Sequence, residues 1–498
     1  MDLVLGVDVG TGSSKGVLAT LDGRVVHRAS VPHRTEFPRP GWVEHDADGV
    51  WWHDLVVLAR ELTGRIVETG DRVVAVCASG IGPTVLLADA DGRPLRPAVL
   101  YGVDTRAVAE AAELEERYGR EDLLERCGSV MSSQAAGAKL EWLRRHEPEV
   151  FSRARYFFMS NSYLAFRLTG EYVLDHHSAS QTTPLYDRHT RTWIEDRCAE
   201  VAPGLPVPRL VDPSGRVGAV TRDAARETGI PEGTPVAAGT VDAWAEAESV
   251  DVGEPGDLMV MYGSTTFFVA VTDGPRTHPA LWGTAGVRPG QSTFGAGMAS
   301  SGSAAEWWRT TIGSPDVAEL VERAAQVPAG SHGLLALPYF AGERTPFADP
   351  DARGALLGLT LRTTPAEVHR ALLEATAYGV RHNVEALAAA GADVRRVVAV
   401  GGGTGSALWP QIVSDVTGLE QEVPAVRIGA SFGDAKLAAV AIGAVDVDAR
   451  WNAVESVTRP HPDEAEVYAQ LYPAYRELHE RTADLQHRLT ALERGTRR

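Results

Sequence analysis

Val4-Leu5-Gly6-Val7-Asp8-Val9-Gly10-Thr11-Gly12-Ser13-Ser14-Lys15-Gly16-Val17-Leu18 places one acidic residue and a run of small residues at the tip between two apolar stretches. The pattern predicts a strand, a tight turn rich in glycine and hydroxyl groups, and a second strand that closes at Asp22-Gly23. Far downstream, Leu258-Met259-Val260-Met261-Tyr262-Gly263-Ser264-Thr265-Thr266-Phe267-Phe268-Val269 repeats the design and reaches Asp273-Gly274. Consecutive backbone N–H groups in such turns, helped by hydroxyls, cradle phosphate oxygens. Two cradles in two halves of one chain predict a nucleotide clamped between two related lobes.

At 498 residues the chain exceeds one ordinary core, and two large domains are expected, 1–243 and 244–498. Hydrophobic residues make up 44% and charged residues 23%, the balance of a soluble globular protein. A net charge of −18 argues against a nucleic-acid binder, which needs a basic stripe. No apolar run is long enough to cross a bilayer, and no signal-peptide pattern precedes the first strand, so a cytoplasmic protein without a membrane partner is expected. Cys77, Cys127 and Cys198 lie far apart, which fits a reduced compartment better than a disulfide frame or a metal site. Arginine carries nearly all the basic charge; the only lysines are Lys15, Lys139 and Lys436, which singles them out for inspection.

Outward from the first cradle, a three-stranded meander is expected over residues 3 to about 30, then a helix at 47–67 and a buried strand at 73–76 ending at Ser79-Gly80. Helices are expected at 106–118, 138–147, 160–169 and 191–201, and the Pro/Gly-rich stretch 202–217 reads as a loop. A helix at 243–250 joins the halves. The second meander opens at Asp257, with helices at 302–313, 316–326 and 364–390. Val397-Val398-Ala399-Val400 predicts a strand feeding Gly401-Gly402-Gly403-Thr404-Gly405-Ser406 and a further helix. The end, 463–494, reads as a helix interrupted near Pro473, with Leu485, Leu489 and Leu492 on one face. Packing within the chain is the first reading of that face and a homodimer contact the second.

Asp8, where its strand reaches the first cradle, is placed to hold Mg²⁺ directly or through water, because that ion takes one or two carboxylates plus phosphate oxygens. Gly10, Thr11, Gly12 and Ser13 form that cradle, and Lys15 either neutralises phosphate or faces solvent. Gly263, Ser264 and Thr265 form the second cradle. The 401–406 run brings glycine-rich backbone to a helix start, an anion-friendly geometry. A dinucleotide fingerprint is its rival, but Ser406 replaces the third glycine and the run sits late in the chain. Asp242, after an apolar strand and before a helix, is either an N-cap or a general base taking a proton from a hydroxyl that attacks phosphorus. Trp42 and Glu44, with Tyr101, Asp104 and Arg106, are candidates for a polyol pocket, against a surface turn with an ion pair. His45, Asp46, His53 and Asp54 read first as a solvated helix start and second as a metal set.

Together these pieces resemble the carbohydrate kinases of the FGGY family from residue 3 to residue 480. Asp8-x-Gly10-Thr11-Gly12-Ser13 resembles the first phosphate motif, Gly263-Ser264-Thr265 the second, and the 401–406 run with Trp409 and Gln411 the adenosine motif. Gly429-Ala430-Ser431-Phe432-Gly433-Asp434-Ala435 looks like the helix closing the second lobe, and Lys139-Leu140-x-Trp142-Leu143 like a signature core. The resemblance implies an α/β fold of the two-lobed actin/Hsp70/sugar-kinase (ribonuclease H-like) type, with duplicated β-meander-plus-helices domains and a central cleft. It implies ATP and Mg²⁺ as cofactors, Asp8 at the metal, and Asp242 as catalytic base. It assigns Gly10, Thr11, Gly12, Ser13, Lys15, Gly263, Ser264, Thr265, Gly302, Gly402, Gly403, Thr404 and Ser406 to ATP. It assigns Ser79, Gly80, Ile81, Tyr101, Asp104, Arg106 and Asp242 to the sugar.

Two departures bear on the sugar. Xylulose kinases usually show Gln-Met-His-Gly where this chain has Gly80-Ile81-Gly82-Pro83-Thr84, and their Trp-x-Asp-x-Arg is here Tyr101-Gly102-Val103-Asp104-Thr105-Arg106. The chain is most similar to a xylulokinase-like branch, so the expected reaction is phosphorylation of a terminal hydroxyl of a ketopentose. Ribulose, glycerol or a deoxy sugar stand as alternative acceptors. The rivals in other classes are a nucleotide-switched scaffold of the actin/Hsp70 type and an NAD-dependent oxidoreductase using the 401–406 run.

Overall fold

The computed structural model describes residues 1–314 and 316–496; residues 497 and 498, inside the second expected domain, lie outside the described residues. Strands β1 (Asp2–Val9), β2 (Ser13–Thr20) and β3 (Val25–Pro32) form the first antiparallel meander. β4 (Arg72–Gly80) lies parallel to β1, and β5 (Arg216–Ala219) and β6 (Pro235–Ala237) complete a six-stranded sheet ordered β5-β6-β4-β1-β2-β3. The second half repeats this plan. β7 (Asp257–Tyr262), β8 (Thr266–Thr272), β9 (Trp282–Ala285) and β10 (Ser292–Met298) precede β11 (Arg396–Val400), β12 (Gln421–Pro424) and β13 (Val454–Thr458), in the order β9-β10-β8-β7-β11-β12-β13. In each sheet the first strand pairs antiparallel with the second and parallel with a later strand, and the far edge strand is antiparallel.

Alternation along the strands decides which side chains reach the space between the lobes. On β1, Leu3, Leu5, Val7 and Val9 share a core with Leu55, Leu58 and Leu62 of helix α1 (His53–Gly64). Val4 faces the other way, into a core shared with Met259, Val398 and Leu437 of the second half. Period-two geometry puts Gly6 and Asp8 on that same face. β7 behaves alike: Leu258, Val260 and Tyr262 enter the second lobe's core, while Met259 points to the shared one. Each large aliphatic side chain taken fully out of water contributes about 1.5–3 kcal/mol. That burial fixes the register, and with it the side on which Asp8 emerges.

Helices α2 (Asp242–Ser249), α3 (Gly302–Thr311) and α4 (Leu408–Thr417) follow β6, β10 and β11, and α5 (Ala430–Ala441) follows β12. α2 and α5 supply Trp244, Ala247, Phe432 and Leu437 to the shared core. Close approach requires glycine here: a Cβ on Gly6 would stand 1.9 Å from the Ser431 carbonyl oxygen, and one on Gly433 1.9 Å from that of Ala245. The division drawn from sequence at 243/244 falls inside the first turn of α2.

Three local expectations change. The stretch 202–217 contains the strand Arg209–Val211 and the start of β5; their partners, Val173–Asp175 and β6, are brought by tertiary packing that local Pro/Gly signals do not report. The helix expected from 191 begins only at Glu195, after the short strand Thr192–Trp193. The final helix α6 (Pro462–Thr496) continues through Pro473. Proline removes one helical hydrogen bond there, and burial of Tyr468, Tyr472 and Tyr475 in the second lobe's core offsets the loss. Leu485, Leu489 and Leu492 on this helix are exposed. Among the described residues no helix is long and apolar enough to cross a membrane.

Candidate active site

Between the lobes lies a cavity of about 360 Å³ whose lining includes Asp8, Asp242, Glu246, Thr265, Tyr101 and Arg344. Asp8 comes from the end of β1, Asp242 from the first residue of α2, and Glu246 from the same helix face one turn later. Asp242 Oδ1 accepts the Ala243 N–H at 2.8 Å. Burial pushes the Asp8 carboxyl up to about 6, against the opposing pull of Lys15 and Ser79. Burial, and then the charge of Asp8, drives Asp242 well above the usual carboxylate range and lifts Glu246 to about 7. Among the described residues no salt bridge engages any of the three. Three desolvated carboxylates that make no salt bridge form a site that gains from a bound cation and from a hydroxyl proton to accept.

The residues expected at the sugar separate into two groups. Tyr101 lines the cavity, and its hydroxyl lies 3.2 Å from that of Thr11. Ser79 is fully buried and its hydroxyl lies between two carboxylates, 3.2 Å from Asp8 Oδ1 and 2.6 Å from Asp434 Oδ2. Ile81 is buried in the first lobe's core, and Gly80 packs against Ser160. Asp104 and Arg106 pair at 2.7 Å with both side chains fully buried; Arg106 also meets Glu44 at 2.8 Å and covers the Trp42 ring at 4.1 Å. Trp42, Glu44, Asp104 and Arg106 therefore satisfy one another instead of lining the cavity. A buried guanidinium needs such partners, and local sequence does not tell a satisfied ion pair from a ligand-facing one.

The first turn is held from behind. The Gly10 N–H donates to the Ser13 carbonyl at 3.2 Å. The Gly10 carbonyl lies 3.0 Å from His33 Nε2, the Thr11 carbonyl accepts the Thr35 hydroxyl at 2.7 Å, and the Gly12 carbonyl accepts the His33 N–H at 3.1 Å. The planar trans peptide sets C=O and the following N–H in opposite directions. Fixing these carbonyls in the wall turns the Thr11 and Gly12 N–H groups away from it, and among the described residues neither has an acceptor. Lys15 pairs with Asp8 across β1 and β2 and is exposed.

The second turn is held by main chain. Gly263 N–H donates to the Thr265 carbonyl at 3.0 Å; the Gly263 carbonyl accepts from Gly302 N–H at 3.0 Å, and the Ser264 carbonyl from Ser301 and Ser303 N–H, each at 3.0 Å. The start of α3 thus docks on the turn. A second cavity, about 570 Å³, is lined by Gly302, Gly402, Gly403, Ser406 and Trp409 among others. The 401–406 run forms a short 3-10 turn before α4, and the Thr404 hydroxyl closes it on the Gly401 carbonyl at 2.8 Å. Gly401 has φ +89, and a Cβ on Gly403 would stand 2.7 Å from the Trp409 ring.

The other two lysines are buried. Lys436 bridges Glu248 at 2.8 Å and Asp251 at 2.6 Å, and Lys139 donates to the Ser133 carbonyl at 2.7 Å. Sequence reasoning missed Glu246, although its spacing of four from Asp242 is a helical signal. It also missed Arg344, which nothing local marks, and His33. His45 and Asp54, read as a solvated helix start, are buried beneath the first turn, while Asp46 caps the turn that precedes α1.

The FGGY family of carbohydrate kinases matches through its N-terminal domain over residues 3–247 and its C-terminal domain over residues 258–442. The chain is 29% identical over 445 residues to a xylulose kinase of Escherichia coli strain K12, covering 88% of this chain and 90% of that one. It is 30% identical over 481 residues to a glycerol kinase of Nocardia farcinica, covering 92% and 94%. The crystal structure of a xylulose kinase from Rhodospirillum rubrum superposes with a TM-score of 0.90 at 34% identity, covering 97% of this chain and all of that one (100%). With two matching domains, one fold and one arrangement of turns around a carboxylate cleft, the chain belongs to the FGGY family of carbohydrate kinases and is a sugar kinase.

Proposed function

We propose that the enzyme transfers the γ-phosphoryl group of ATP to a terminal hydroxyl of a ketopentose of the xylulose type, with Asp242 as general base. The observation that carries this reading is the Asp242 carboxylate, half-buried at the head of α2, lining the interlobe cavity, and bonded among the described residues only to a backbone N–H. Its raised proton affinity suits a group that must take a proton from an alcohol.

In this reading the first and second turns receive the β- and γ-phosphates, and the Gly402–Gly403 surface of the second cavity receives the nucleoside. Asp8 would fit Mg²⁺, because it is a buried carboxylate that makes no salt bridge among the described residues and shares its cavity with Asp242 and Glu246. Such a site leaves most positions of the ion to phosphate oxygens and water. The ion supplies charge neutralisation on the phosphates. The chain's own part is positioning: the turns orient phosphate oxygens, Asp242 orients the attacking hydroxyl, and Trp244, Phe267 and Trp282 keep the cavity wall apolar.

For the acceptor, Tyr101, Gln134, Gln181 and Arg344 present hydrogen-bonding groups to the same cavity. Arg344 donates to the Met298 carbonyl at 2.7 Å, and among the described residues its buried Nε has no hydrogen-bond partner. The changed Gly80–Thr84 segment, and similarity to a glycerol kinase as close as that to a xylulose kinase, keep other polyols as the second reading. We place the enzyme in the cytoplasm, where its three free cysteines stay reduced. An ADP-release assay across ketopentoses, glycerol and deoxy sugars tests the reading. Acceleration by xylulose supports it, acceleration only by another polyol moves the substrate, and ATP hydrolysis indifferent to every sugar contradicts it.

A further inference from the structure

His33 lies beneath the first turn with its side chain 6% exposed. Its Nδ1 is 2.7 Å from Asp54 Oδ2, and its Nε2 is 3.0 Å from the Gly10 carbonyl oxygen. A carboxylate and a carbonyl both only accept hydrogen bonds. A neutral imidazole has one N–H and would leave one of these contacts as two facing lone pairs; only the imidazolium, with two N–H groups, satisfies both. The Ser14 hydroxyl donates to the same Asp54 oxygen at 2.7 Å, so the carboxylate is the fixed point of the group.

We propose that His33 is a positioning residue for the nucleotide, held as an imidazolium between Asp54 and Gly10, which aims the N–H groups of the first turn and places one positive charge behind them, so that polyphosphate binding is linked to a proton. The inference rests on the nucleotide reading given above. Other groups facing the ring agree with it. From β1, the Asp8 charge and the His33 charge attract. From the segment before α1, the His45 ring stands edge-on at 5.2 Å and does not compete for the proton, because burial lowers its affinity to about 4. From α1, His53 touches the other Asp54 oxygen at 3.3 Å while its own side chain is 61% exposed. Burial of His33 opposes its charge, but the Asp54 contact and the Gly10 and Thr11 carbonyls outweigh it, and its proton affinity is raised. Burial likewise opposes the Asp54 charge, and its hydrogen bonds from His33 and Ser14 keep it ionised.

The test is calorimetric titration of Mg-ATP into the full chain between pH 6 and pH 9, for the wild type and for His33→Gln, whose amide can still donate to Gly10 but carries no charge. The wild-type Kd is expected to rise roughly tenfold more than the variant's across this range, the size of one charge-assisted hydrogen bond to the turn. Comparing the two proteins cancels the nucleotide's own ionisation. Nitrogen-15 NMR of the histidine rings supplies a second readout: His33 should show two protonated nitrogens above pH 6.5, and its titration should move upward when ATP binds. Equal pH dependence in both proteins, or a single-N–H His33 at pH 6.5, overturns the proposal while leaving the kinase reading in place. Absence of ATP binding by the wild type at every pH overturns the nucleotide reading, and this inference falls with it.

Discussion

The two glycine- and hydroxyl-rich turns each join the first two strands of their sheet, and they have two methods of support. In the second lobe the Gly263 and Ser264 carbonyls are pinned by backbone N–H groups at the head of α3, which do not titrate. In the first lobe the Gly10 and Thr11 carbonyls are pinned by side chains, His33 and Thr35. Both devices turn carbonyls into the wall and N–H groups out of it. The difference teaches that a cradle is made by what holds it from behind, and that a side-chain anchor makes the grip sensitive to pH whereas a helix start does not.

The largest effect on this contrast is expected from Gly302→Ala. Its Cβ would lie 2.6 Å from the Gly263 carbonyl oxygen, a backbone atom that cannot swing aside. The forced shift should cost about 1–3 kcal/mol, read as a loss of ATP affinity of roughly five- to 150-fold by calorimetry; an unchanged Kd would separate α3 from nucleotide binding. Next comes Thr35→Val, which leaves the Thr11 carbonyl and His45 Nε2 without their hydroxyl partner. A loss of about 1–2 kcal/mol is expected, the same at pH 6 and pH 8 when followed by thermal unfolding.

A smaller, pH-shaped effect follows for stability. The folded His33 holds its proton more tightly than the unfolded residue, so its contribution is complete below an unfolded value of about 6.5 and is lost as pH rises through the folded value. Asp54 is lowered on folding, so its contribution is present above about 3.9 and is lost as pH falls through its folded value. The Tm gap between wild type and His33→Gln should therefore be widest between about pH 4 and pH 6.5 and close by pH 9. Thr266→Val, which removes the 2.6 Å contact to the Ser301 hydroxyl beside the second turn, should give a gap that does not move with pH. The smallest effect is expected at Gly12, where a Cβ meets no protein atom within 4 Å: Gly12→Ala should change thermal stability by less than about 0.5 kcal/mol, read by thermal unfolding.

Both turns, the duplicated meander and the placement of Asp8 were legible because they rest on period-two alternation and on runs of small residues, which are local properties. Asp242 was legible as a residue between strand and helix, with its role resting on resemblance. The acceptor side was not. Asp104 and Arg106 have the composition of a sugar contact and are spent on each other, on Glu44 and on Trp42. Arg344 reaches the cavity from between two strands of the second lobe, across a distance no local pattern encodes. His33 gained its role from Asp54, contributed by a helix start after an intervening loop, and from a backbone carbonyl 23 residues earlier.

Asp242→Asn keeps the shape of the site and removes its proton acceptor. Sugar-dependent ADP release should fall by roughly 10²–10⁴-fold, the usual contribution of a general base, while the calorimetric Kd for Mg-ATP stays within a few-fold of wild type. Turnover near the wild-type rate, or loss of nucleotide binding in parallel with activity, would contradict the role given to this carboxylate.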